Sequence, residues 1–165
     1  MIRIDIVAAG PSAKQASTNG AAIVLAVNRA ALFVRHDFVV AGDARTLRDL
    51  RPAPLWTMKN DQPIPAGWDA VYRYDLLPGW TALPRPCNWS IQAAIAVAMH
   101  MKADLIQIWG ADAYLRDPAS PEDCSGYAGP DADRTPERWR RERSDLDLSI
   151  AWAQSLGATV TIRSP

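Results

Sequence analysis

The sequence predicts a single α/β domain, a doubly wound and mostly parallel sheet of Rossmann-like type, and three observations predict it. Short apolar runs alternate with helical segments along the chain. One run, Ala21-Ala22-Ile23-Val24-Leu25-Ala26-Val27, holds no polar residue, as expected of a parallel strand buried on both faces. Several runs stop abruptly at small polar residues, the first being Ile4-Asp5-Ile6-Val7-Ala8-Ala9-Gly10-Pro11-Ser12. A length of 165 residues accommodates one full core and falls short of two ordinary domains.

Ile2–Ala8 reads as the first strand and Ala13–Thr18 as a short helix. Ala21–Val27 is the second strand, ending at Asn28-Arg29, and Asp37–Ala41 the third, ending at Gly42-Asp43. Ala44–Leu50 can form a short helix before the break at Pro52 and Pro54. Prolines at 52, 54, 63, 65, 78, 84 and 86 concentrate in the middle, which reads largely as connecting loop, with Leu55–Met58 and Ala70–Tyr74 as candidate short strands. Ser90–Met101 is the clearest helix. Ser90 suits an N-cap, and the apolar residues from Ile91 to Ala98 leave almost no polar face, so this helix should lie centrally against the sheet. Asp104–Trp109 is the next strand, ending in Gly110-Ala111-Asp112. Residues 113–135 are rich in Pro, Asp, Ser and Gly and read as a lid-like loop, long enough to suggest a function. Thr135-Pro136 is an N-cap/N1 pair that opens a second long helix, with Trp139, Leu146, Ile150 and Ala153 along one face. Gly157 is its C-cap, and Ala158–Ile162 is the last strand.

The 18 basic and 18 acidic side chains cancel, so no global field draws the chain to nucleic acid or to an anionic membrane. No apolar run reaches the length of a membrane span, and no basic, apolar leader precedes the first strand. Cys87 and Cys124 have no metal-type spacing and need not pair. A cytoplasmic location is the expectation these features give. The run from Arg134 to Arg143 invites a nucleic-acid reading, but Glu137, Glu142, Asp145 and Asp147 interleave with it, and a solvated, salt-bridged helix face is expected. The tryptophans at 56, 68, 80 and 89 either cover a pocket or fill the core, and core is the commoner use.

Chemistry enters at the strand ends. Gly10-Pro11-Ser12, Asn28-Arg29, Gly42-Asp43 and Gly110-Ala111-Asp112 each follow a predicted strand, and Asn88-Trp89-Ser90 opens the apolar helix. In an open parallel sheet these positions share one edge, and ligands bind outside the carboxyl ends of the strands. A strand that turns into a helix start offers backbone N–H groups and the positive end of a helix dipole, which favour a phosphate. Candidate nucleotide contacts are therefore Gly10, Pro11, Ser12, Asn28, Arg29, Asn88, Ser90 and Gly110. Asp43 and Asp112 are the candidate catalytic carboxylates. Taken singly, each of these residues is more often structural, since carboxylates commonly brace turns. As a pair facing one crevice, the two aspartates could hold Mg²⁺ through oxygen ligands and organise a diphosphate.

With those pieces in order, the chain resembles the bacterial sialyltransferase-like Rossmann group, which includes the lipooligosaccharide sialyltransferases, the motility-accessory glycosyltransferases and the pterin-diphosphokinase-like proteins. The resemblance rests on "IVAAGPSAK", "VLAVNRA", "FVVAGD", "NWSIQAAIAVAM" and "LIQIWGADAY", spanning residues 4 to 114. It implies that Ser12 and the backbone of Gly10 lie near phosphate and that Asn28 contacts phosphate or ribose. Ser90, with Asn88 beside it, would touch phosphate or base. Asp112 would bound the pocket floor, and Asp43 would face the sugar or acceptor. The family's sialyltransferases carry a general-base histidine in or after the lid. This chain has only His36 and His100, neither at that place. Asp43 is the candidate to replace it as a base.

The resulting expectation is a glycosyltransferase-like transferase that binds a nucleotide or nucleotide sugar and directs an acceptor hydroxyl at an activated donor. A Mg²⁺-dependent diphosphokinase is the alternative within enzymes. A non-catalytic module that sequesters or senses a nucleotide is the alternative outside them.

Overall fold

A computed structural model of the chain describes residues 1–42, 44–58, 63–68, 70–83, 90–111 and 136–163, with residues 11, 12, 44, 45, 138 and 139 described by their backbone alone. Among the described residues, seven strands form one sheet: β1 (Arg3–Val7), β2 (Ile23–Val27), β3 (Phe38–Val40), β4 (Leu55–Thr57), β5 (Val71–Arg73), β6 (Leu105–Trp109) and β7 (Thr159–Ile162). Every pair is parallel, and the order is β5-β4-β3-β2-β1-β6-β7. The chain thus steps outward from β1 to β5, crosses back to lay β6 on the free side of β1, and finishes at β7.

That reversal explains the two unlike faces. Crossovers between parallel strands keep one hand, so reversing direction moves the connections to the other side of the sheet. Ile4, Ile6, Leu25, Val27, Val40, Trp56, Ile106 and Ile108 point to the face covered by the three α-helices, α1 (Pro78–Ala82), α2 (Ser90–His100) and α3 (Pro136–Ser155). Their neighbours Val7, Val24, Ala26, Val39, Ala41 and Leu55 point to the face covered by the earlier connections. The period of two along each strand is what parallel strands in a two-layered core require.

The connections on the second face are thinner than expected. The segment read as a helix over Ala13–Thr18 is instead a 3₁₀ turn, Pro11–Gln15. Pro11 starts it, and Ser17-Thr18-Asn19-Gly20 ends it before a second turn can form, which leaves too few residues for an α-helix to repay its nucleation. Ala44–Asp49 is also a 3₁₀ helix. Small residues suffice here because Ala13 and Ala30 are fully buried against Val7, Val24 and Ala26.

The proline-rich middle is more ordered than loop composition implies. It contributes β4, β5, a 3₁₀ turn at Tyr74–Leu76 and α1. Pro78 stands at the first position of α1, where a missing N–H costs nothing. Trp56, Trp68 and Trp80 are buried, and Tyr74 and Trp80 meet edge to face with centroids 5.1 Å apart.

Helix α2 is the centre of the molecule. Gln92 through Ala98 are all buried. It rests on β1, β2 and β3 and is flanked by α1 and α3, so an all-apolar circumference is what its place demands. Both long helices end in Schellman turns. In α3 the Ala158 N–H reaches the Ala153 carbonyl at 3.2 Å around Gly157, whose φ is 95°. In α2 the Ala103 N–H reaches the Ala98 carbonyl at 3.1 Å around Lys102, whose φ is 63°. A side chain in that left-handed conformation costs about 1–2 kcal/mol relative to glycine. At the far end of β1, the fully buried Asp5 carboxylate accepts two bonds from Arg3, at 2.8 and 2.7 Å. Arg3 also donates to the Ser17 and Asn19 carbonyls, which fastens the turn before β2.

Among the described residues, no helix is long and apolar enough to cross a membrane.

Candidate functional site

The carboxyl ends of β1 and β6 are adjacent, with Val7 opposite Trp109. Because the strand order reverses between them, this is the place where an open parallel sheet is expected to bind a ligand. The ladder continues past both strands. Ala8 donates to the Trp109 carbonyl at 2.8 Å, and Gly10 donates to the Gly110 carbonyl at 3.0 Å. The Gly10 carbonyl in turn accepts from Ala13 at 2.9 Å, which closes the 3₁₀ turn on the Gly10 side. Gly110 has a φ of 71°, and a Cβ there would lie 2.4 Å from the Ala8 oxygen and 2.8 Å from the Ala13 Cβ. Only glycine permits both that conformation and that approach.

The neighbouring strand end carries a second unusual backbone. Asn28 follows β2 with a φ of 51°, a left-handed conformation that Asn tolerates better than most side chains. Its Oδ1 accepts a long hydrogen bond of 3.3 Å from the Ser90 hydroxyl, across 62 residues of sequence. Ser90 is the first residue of α2, so its hydroxyl is directed to β2 and the helix start is tied to the sheet edge. The first turn of α2 brings its backbone N–H groups and a positive dipole end to this place.

The remaining candidates are distributed as follows. Arg29 lies 4.0 Å from Asp49, with both side chains partly exposed, a pair worth little on its own. Pro11 and Ser12 are in the 3₁₀ turn after β1. Asp43, Asn88 and Asp112, together with the lid segment 113–135, Trp89, Cys87 and Cys124, lie outside the described residues. The structure therefore brings Gly10 to Gly110 and Asn28 to Ser90, and places Arg29, next to Asn28, within ion-pair distance of Asp49. His36 is half-buried, with Nδ1 2.9 Å from the Val34 carbonyl. His100 is exposed at the end of α2, at the opposite edge of the sheet, with its ring edge-on to Trp56.

Two acidic residues depart from the solvated helix face expected of them. Glu142 and Asp145 are each only 3% exposed, whereas Asp147 is exposed. They sit on the side of α3 turned to α2. There, Gln92 donates to the Asp145 carbonyl at 2.7 Å and to the Ser149 hydroxyl at 3.0 Å. The Asp145 Oδ1 is buried without a hydrogen bond. Helical spacing held the signal: Glu142, Leu146, Ser149 and Ala153 form one stripe at intervals of four, three and four.

Among the described residues, no three His, Cys, Asp or Glu side chains converge as a metal site would need. The perturbed ionisations lie elsewhere. Hydrogen bonds donated to the carboxylates of Asp5 and Asp75 raise Arg3 and Arg73 above the usual guanidinium range. Comparison of the chain with protein-family models, with curated proteins and with solved structures finds no match.

Proposed function

We propose that the carboxyl edge of this sheet binds a nucleotide or nucleotide sugar and that the protein transfers the activated group to an acceptor hydroxyl. The observation that supports the binding half is the reversal of strand order at β1 and β6. The first turn of α2 stands beside it, tied to Asn28 through Ser90. A phosphate there would meet backbone N–H groups from the first turn of α2. Asn28, held in a costly conformation at the same edge, fits a residue retained for contact with ligand.

The transfer half rests on the resemblance to the sialyltransferase-like group. In this reading the acceptor hydroxyl attacks the donor carbon and the nucleotide phosphate departs. The protein contributes orientation and charge stabilisation of the leaving group. Asp43 takes the proton of the acceptor, in place of the family's histidine.

The test is thermal denaturation with cytidine mono- and diphosphates and with nucleotide sugars at millimolar concentration. Binding to the native state must raise the melting temperature as ligand is added. The Asn28→Ala and Ser12→Ala variants should fold and show a smaller shift. A melting temperature unmoved by every nucleotide would overturn the proposal. Where binding is found, turnover with and without Mg²⁺ separates a glycosyltransferase from a diphosphokinase, and no turnover in either assigns a binding module.

A further inference from the structure

We infer that a second binding site, for a small amphiphilic monocarboxylate, lies at the opposite edge of the sheet, with Lys102 as the group that pairs with the carboxylate. A groove of about 500 Å³ opens there between the ends of α2 and α3 and the start of α1, a volume within the range of small-molecule sites. It is remote from the crevice described above, because the length of α2 separates Ser90 at one edge from His100 at the other.

Small residues create the hollow and large ones wall it. Gly79, Ala96 and Ala103 line it, together with Met99 and Trp152. Trp152 lies so close over Gly79 that a Cβ there would come within 2.8 Å of the indole. The interior is therefore suited to a hydrocarbon chain or ring.

The charge at the mouth selects the head group. Asp104 lines the groove, but its carboxylate already accepts the Ile2 N–H at 2.5 Å and lies 3.7 Å from the Met1 ammonium. The helix ends add few free acceptors, because the Schellman turns around Lys102 and Gly157 use the carbonyls of Ala98, Met99, Ala153 and Gln154. Lys102 and His100 remain, and both are exposed. Lys102 pairs with none of the described acidic groups.

Backbone strain gives the independent reason to look at Lys102. Of the two Schellman turns, one uses glycine, the residue without penalty, and the other holds a lysine at positive φ. A strained side chain retained on the wall of a groove points to a use for that side chain.

Calorimetric titration with octanoate, with octan-1-ol as the uncharged control, tests the inference on the full chain. Octanoate should bind, and octan-1-ol should bind about tenfold more weakly, the factor expected of one charge-assisted hydrogen bond. Lys102→Gln keeps the strain and removes the charge. Lys102→Gly removes both. Each should weaken octanoate about tenfold, and Lys102→Gly alone should raise the melting temperature. Absent octanoate binding, variants that bind octanoate as tightly as the parent protein, or equal affinity for octan-1-ol would each overturn the assignment. The nucleotide-dependent melting shift is a separate readout, since Lys102 and the crevice lie at opposite edges.

Discussion

Gly10 and Gly110 are joined by a single backbone hydrogen bond, from the Gly10 N–H to the Gly110 carbonyl at 3.0 Å. That bond couples the turn after β1 to the turn after β6 at the place where strand order reverses. It leaves the two turns as one floor, with Ala13 packed above Gly110.

Gly110→Ala should therefore be among the most damaging single substitutions in the chain. It combines a left-handed φ of 71° with a 2.4 Å approach to the Ala8 oxygen. The strain and the overpacking together should cost about 2–5 kcal/mol. Urea denaturation should show a lowered midpoint at unchanged slope.

Asn28 offers the opposite case. Asn28→Gly relieves the positive φ but loses the Ser90 bond and frees the unfolded chain, so stability should stay within about 1 kcal/mol of the parent. Asn28→Val should lose about 2 kcal/mol, because a β-branched side chain resists that conformation. Similar melting temperatures for the two variants would contradict this account of the turn.

The Arg3–Asp5 pair sets a buried charge against its partner. Arg3→Met strands a carboxylate that is 0% exposed and should cost about 3–5 kcal/mol. Arg3→Met combined with Asp5→Leu should recover most of that loss. The pH dependence has a definite sign. The hydrogen bond that Arg3 donates to Asp5 raises Arg3 on folding, and a raised base keeps its full contribution below its unfolded pKa. Through Arg3 the pair should be insensitive to alkali up to about pH 10. A melting temperature that falls steadily from neutral pH would have to come from other groups.

Asp145 carries a buried carboxylate oxygen with no hydrogen bond. Asp145→Ala removes that desolvated atom and substitutes the best helix former, which should raise stability by about 1 kcal/mol, or about 2–4 °C in melting temperature. A loss of stability would show that the carboxylate is a net support of the α2–α3 contact.

The elements read most securely from sequence were those whose signal is local. The run at Ile23–Val27 and the almost wholly apolar stretch from Ile91 to Ala98 each state their own burial, and both proved largely buried. The edge residues Gly10, Asn28, Ser90 and Gly110 could be named for the same reason, since each follows or opens a recognisable element. Less was legible where local signals competed. Pro78 and the prolines around it suggested loop, yet Pro78 begins a helix. The arginines of α3 masked the stripe that buries Glu142 and Asp145.

By itself, then, the sequence determined where the strands and the two long helices lie, because apolar period and turn chemistry act over a few residues. The tertiary structure alone decided that β6 returns to the side of β1, that Gly10 bonds Gly110 across 100 residues, and that Ser90 reaches Asn28. Those contacts depend on which strand edge remains open once the first five strands have paired. That is a property of the assembled sheet, and no short window of residues contains it.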